Sequence, residues 1–197
     1  MAVVTARVGQ VARPDNSLSE RPVTRRVRPL PSGPVPDVTG PQPDEVAEAV
    51  DHLGVTRLLS TYADAVTRRD WDAFERQFLP DCVVDLDLVS RPAQELVGPD
   101  AMAEFVSEAI ERFEFFEFVV LNHHVDLWPG GDRAAATGRV FMCELRQLHG
   151  ETRRTDAFGR YDDTYAKVDG RWMFAGRRYR SMARWPEGVV FPMIQDI

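Results

Sequence analysis

Apolar residues recur at helical spacing from Asp44 onward, where Val55, Leu58, Leu59, Tyr62, Ala63 and Val66 follow the i, i+3, i+4, i+7 rule with Gly54 as a break. Asp70 stands as the N-cap of a short second helix over WDAFERQFL, which Pro80 ends. The period then changes. Alternation in CVVDLDL puts Val84, Leu86 and Leu88 on one face and Val83, Asp85 and Asp87 on the other, as in a half-buried strand. Pro99 opens a third helix with Met102, Phe105, Val106, Ala109, Ile110 and Phe113 toward the core. Period-two runs near 115–128, 133–149, 151–168 and 171–184 predict four long antiparallel strands. Helices followed by a strand meander is an α+β order.

The last two strands meet at Asp169-Gly170, a strong hairpin signal because a type I′ turn needs positive φ at both central residues. Regular pairing from that turn would set Tyr161 opposite Arg178 and Asp162 opposite Arg177. Trp172, Phe174 and Gly176 would then share the face of Tyr161, turning Arg178 inward and Arg177 outward unless a bulge at Gly176 reverses the parity. Polar groups so close to the strand ends fit a polar-tipped cavity better than a plain core.

Composition separates the front of the chain from the rest. Residues 1–42 hold seven of the 14 prolines and six arginines against three acids, a net +3 that leaves −10 for the remainder of a chain whose formal charge is −7. They read as a disordered Pro/Arg-rich arm, before a domain at 43–185 and a tail at 186–197. The acidic body argues against nucleic acid. No apolar run approaches the roughly 18 residues of a membrane span, and Cys82 and Cys143 lack metal-ligand or disulfide spacing, so a cytoplasmic chain without membrane contact is expected. No Gly-rich phosphate loop, serine nucleophile motif or HExxH pattern is present, and neither cofactor nor metal is expected.

The segments YADAVTRRDWDAFERQFLPD, LVGPDAMAEF and GRYDDTYAKVDGRWMFAGR together resemble the SnoaL-like branch of the nuclear transport factor 2-like superfamily, over about residues 45–184. That branch holds polyketide cyclases, scytalone dehydratase, bile acid dehydratases and a dehydrochlorinase. The resemblance implies a cone-shaped α+β barrel, a curved and mostly antiparallel sheet wrapped around about three helices with an apolar pocket between them. It implies a homodimer or homotrimer acting on a hydrophobic small molecule without a cofactor.

Residue by residue, the resemblance puts Tyr62, His123 and Arg177 at catalytic positions and Tyr161 on the pocket wall. Thr67 departs from the pattern, because several members place there an aspartate that orients the histidine. Asp64 lies on the far side of the helix from Tyr62 and is expected in solvent. Glu144 shares a face with Val140 and Met142 and is the candidate replacement carboxylate. Thr67, Val84, Leu86, Val140 and Met142 are expected to contact substrate.

A His123–Glu144 dyad would transfer protons near neutral pH, with the tyrosines donating to a carbonyl or leaving oxygen and Arg177 binding an anion or polarising a carbonyl. The expected enzyme is a dehydratase, isomerase or cyclase acting on a polyketide-, terpene- or steroid-like compound. The same residues also admit a bland reading. His123 and Tyr62 can be core residues, Glu144 can pair with a neighbouring arginine, and either His123 or His124 can face inward. The alternative function is then a non-catalytic small-molecule-binding or oligomer-scaffold protein of the same fold.

Overall fold

The structure, a computed structural model, describes residues 40–89, 92–186 and 189–190. The expected arm and tail lie almost wholly outside these residues. Helix α1 (Pro43–Arg68) starts with proline in its first turn, and a capping box closes between Gln42 and Glu45. Its stripe of Val55, Leu58, Leu59, Tyr62, Ala65 and Val66 is buried. Arg69 ends it in a left-handed conformation and donates to the carbonyl oxygen of Phe113 at 2.6 Å. Gly54 does not break the helix. A Cβ there would lie 2.5 Å from the Trp172 indole, so glycine serves the close approach of helix to sheet. Through that gap Trp172 Nε1 donates to Asp51 at 3.2 Å, beside Trp128 Nε1 at 3.1 Å and Lys167 Nζ at 2.5 Å.

The second predicted helix is cut short. Trp71–Arg76 forms one 3-10 segment, and β1 (Phe78–Asp87) begins where the helix was expected to continue. Pro80 lies inside this strand. Pairing with β6 is irregular between Phe78 and Val83, so the missing N–H of proline interrupts no regular ladder. Strand β2 (Gln94–Val97), which no sequence pattern announced, pairs with β1 and leads into α2 (Gly98–Glu111).

Strands β3 (Phe113–Leu127), β4 (Ala135–Leu148), β5 (Arg154–Val168) and β6 (Arg171–Trp185) follow as an antiparallel meander. The sheet order is β2-β1-β6-β5-β4-β3, with the two-residue β7 (Val189–Val190) beside β6 and β1 parallel to β6. This mixed sheet curls, without closing, around α1, α2 and the 3-10 segment. Tyr62, Phe74, Phe78 and Phe174 fill the centre, with Tyr62 ring centroids 5.6 to 5.9 Å from the other three.

The β5–β6 hairpin decides which side chains face the helices. Asp169 and Gly170 take positive φ as expected, and pairing is regular from Val168↔Arg171 to Tyr165↔Phe174. It then slips by one residue, so that Thr164 opposes Gly176, Asp163 opposes Arg177 and Tyr161 opposes Tyr179. The extra residue, Ala175, makes the bulge that turns Arg177 inward. The regular register that set Tyr161 against Arg178 holds only as far as that bulge. Arg178 instead points outward toward Asp85, and Arg180 toward Asp87.

Candidate active site

A cavity of about 370 Å³ lies between α1, α2 and the concave side of the sheet, within the range of small-molecule sites. Leu86, Met102, Val106, Ile110, Phe116 and Phe118 supply apolar wall, and the polar lining includes Tyr62, Tyr161, Tyr179, Glu144, Arg146 and Arg184. Strand register explains how the polar groups meet. Arg184, Ala157, Glu144 and Phe118 form one rung across β6, β5, β4 and β3. Tyr179, Tyr161 and Val140 form a parallel rung four residues away along β4.

Tyr179 crosses the space between the rungs because Gly159 has no side chain. A Cβ at Gly159 would meet the Tyr179 ring at 2.3 Å. The charge of Glu144 accordingly helps to hold the phenols of Tyr62, Tyr161 and Tyr179 above their ordinary pKa, after burial, which is the larger cause for each.

Glu144 keeps 25% of its side chain accessible and lines the cavity. Burial raises its carboxyl above the ordinary value, although Arg146, Arg184 and Arg112 each pull it back down. Its hydrogen bond from Arg146 Nη1 is long, at 3.4 Å. A carboxyl group held up in this way can both take and return a proton.

The expected dyad does not form. His123 opposes Val140 and Glu144 opposes Phe118, which separates them by about 13 Å of extended strand. His123 lies past the irregular step between Val120 and Asn122, under the middle of α1. Its Nε2 is 3.2 Å from Thr56 Oγ1, and its ring stacks on His52 at 6.2 Å. Burial, and then the His52 charge, lower its pKa. Neighbouring His124 is exposed and lies 3.6 Å from Asp126.

Thr67 is not on the cavity wall either, because its hydroxyl accepts the Phe118 N–H at 3.0 Å and ties α1 to β3. Leu86 and Tyr161 line the cavity, whereas Val84, Val140 and Met142 are buried in the core beside it. Asp64 is exposed and pairs with Arg68, as expected of a solvent-facing position.

Arg177 points inward with two of its nitrogens engaged by Asp163, while its Nη1 is buried without a hydrogen-bond partner. Its Nε and Nη2 donate to Asp163 at 2.9 and 3.0 Å, and Tyr165 donates to the same carboxylate at 3.1 Å. The guanidinium carbon lies 4.4 Å from the Tyr62 ring centroid, 3.9 Å from that of Tyr161 and 4.1 Å from that of Phe174. It is a support beneath the two cavity tyrosines.

Sequence reasoning missed Tyr179, Arg146 and Arg184. Arg146 was within reach, because the alternation that exposed Glu144 continues for one more step. Tyr179 was hidden by the bulge. Among the described residues, no group of three or more His, Cys, Asp or Glu is arranged to hold a metal ion. No helix among them is long and apolar enough to cross a membrane.

The chain belongs to the SnoaL-like domain family, whose model matches residues 47–178. An uncharacterized protein of Mycobacterium tuberculosis is 25% identical over 137 residues, which cover 67% of this chain and 86% of the relative. Among solved structures, a Novosphingobium aromaticivorans protein provisionally assigned as a scytalone dehydratase superposes with a TM-score of 0.65 at 20% identity, covering 77% of this chain and 99% of that one. Hexachlorocyclohexane dehydrochlorinase LinA-type3 from Novosphingobium barchaimii gives 0.60 at 16% identity, covering 75% and 97%. At these identities the structures establish a shared fold.

Proposed function

We propose that the protein is a cofactor-independent lyase or isomerase that moves protons on a hydrophobic, oxygenated small molecule, such as a polyketide-, terpene- or steroid-like compound, bound in this cavity. The observation that carries the reading is Glu144, a carboxyl group with a raised pKa on an aromatic wall beside Tyr62, Tyr161 and Tyr179. In a dehydration, Glu144 as carboxylate takes a proton from the carbon next to a substrate carbonyl. The tyrosine hydroxyls donate to the carbonyl oxygen, where charge develops. The C–O bond to the β-hydroxyl then breaks, and the proton held by Glu144 leaves with the departing oxygen as water. One carboxyl group serves both steps when the pKa is near the working pH.

The test is formation of α,β-unsaturated ketone from a panel of bicyclic β-hydroxyketones, followed by ultraviolet absorbance. Glu144→Gln should lose at least ~10² in rate, while His123→Gln should stay close to wild type. Equal rates for wild type and Glu144→Gln would remove Glu144 from the chemistry. A second reading, a non-catalytic carrier, draws on one observation: no histidine is among the residues lining the cavity. Tight binding of the ketones without turnover by the wild type would favour it.

A further inference from the structure

The chain carries a formal charge of −7, yet three arginines, Arg112, Arg146 and Arg184, line the cavity against two glutamates, Glu108 and Glu144. Arg146 is only 9% exposed. Arginine keeps its charge when buried, and this one has a single long contact to a carboxylate, from Nη1 to Glu144 at 3.4 Å. Its Nε is buried without a hydrogen-bond partner, and so is Nε of Arg184. A buried donor left unmatched destabilises the protein until an acceptor arrives. Arg112 and Arg146 both lie over the Phe113 ring, at 4.9 and 5.3 Å from its centroid, which limits how either guanidinium can turn.

We propose that the molecule bound here is an amphiphilic carboxylate, with its apolar body against the aromatic wall and its carboxylate on Arg146 and Arg184. The proposal rests on reading this cavity as the substrate site and names the class of molecule the site takes. A planar carboxylate matches the edge of a guanidinium with two parallel hydrogen bonds, and the bond from Arg146 to Glu144 uses Nη1, while its Nε has no partner. Glu144 shows that this arginine already accommodates one carboxylate. The substrate would add a second, on the opposite side of the guanidinium.

The experiment is calorimetric titration of the full chain with naphthoate, naphthamide and naphthyl phosphate, which share an apolar body and differ in the head group. Naphthoate should bind at least ~10-fold more tightly than naphthamide. Arg184→Met should remove most of that advantage while leaving naphthamide within about twofold. Glu144→Gln should tighten naphthoate, since it removes the competing carboxylate from Arg146. The two variants and the wild-type comparison are read independently of one another. Equal affinity for naphthoate and naphthamide would overturn the proposal and leave the cavity as an apolar site. Tighter binding of naphthyl phosphate would overturn the assignment to carboxylates. Failure of all three probes to bind would overturn both the proposal and the reading on which it rests.

Discussion

Arg177 and Asp163 face each other across β6 and β5 and form a two-point ion pair inside the domain, with side chains 1% and 0% exposed. Burial works against the guanidinium charge, but Asp163 at 2.9 Å holds the Arg177 pKa above its ordinary value. The pair connects the bulge at Ala175 to the rings of Tyr62 and Tyr161, so it fixes the register of β6 and the floor of the cavity together.

Asp163→Asn should therefore destabilise the protein strongly, because it leaves a buried guanidinium with no counter-charge. Removing one partner of a buried pair costs about 3–5 kcal/mol. Urea unfolding measures this, and a loss below ~1 kcal/mol would mean that water reaches Arg177 in the variant. A paired Asp163→Leu, Arg177→Met change should cost less than Asp163→Asn, since neither charge remains.

A second prediction concerns Gly159. Its missing side chain gives Tyr179 the space to lean over β5 toward the Glu144 rung. Gly159→Ala should overpack this point by about 1–3 kcal/mol. The cost should largely vanish in a background where Tyr179 is already alanine, which a double-mutant cycle of unfolding free energies would show. Additive losses would mean that the backbone at Gly159, and not the ring, is the constraint.

These two contacts also mark where the chain was legible and where it was not. Period-two patterning showed the four long strands to within a few residues, because each has one face against the helices and one against solvent. The same rule found Leu86 and Glu144. It failed wherever one residue was inserted into a ladder. The extra residue at Ala175 exchanged the faces of Arg177 and Arg178, and the step between Val120 and Asn122 precedes the histidine that was to meet Glu144. Parity counts along a strand, but it does not announce a bulge. Alternation is also blind to distance along the strand: His123 shares the inward face of Val140, yet Glu144 lies four residues further on. Gly54 and Pro80 misled for a related reason. Their local preferences are real, and tertiary contacts with Trp172 and an irregular stretch of β1 accommodated them.

Glu144 should leave a signature in the pH dependence of stability. Its folded-state pKa is raised above the ordinary 4.5 by burial, so between those two values the folded protein binds more protons than the unfolded chain. Stability from this group is then fully present below about pH 4.5 and is lost as the pH rises through the folded pKa. Glu144→Gln keeps the shape and does not titrate. Relative to wild type, the variant should gain unfolding free energy from about pH 4.5 upward and level off once the wild-type carboxyl has ionised. Denaturant midpoints over a pH series would measure the difference. A trend of the opposite sign would show that Arg146, Arg184 and Arg112 together outweigh the burial of the carboxylate.

Leu86 and Asp85 test the sidedness of β1 and the location of the ligand in one comparison. Leu86 is 2% exposed and lines the cavity, while its neighbour Asp85 faces outward within 3.7 Å of Arg178. Leu86→Arg would bring a long charged side chain into the apolar wall, and binding of naphthamide or an apolar dye should fall by at least ~10-fold. Asp85→Asn removes only an exposed ion pair, a change of about 0–1 kcal/mol in stability, and should leave binding unchanged. Circular dichroism on Leu86→Arg separates loss of the cavity from loss of the fold. If that variant folds and still binds the dye like wild type, the ligand lies elsewhere on the molecule, and the assignment of Glu144, Tyr62 and Tyr161 to its chemistry falls with it.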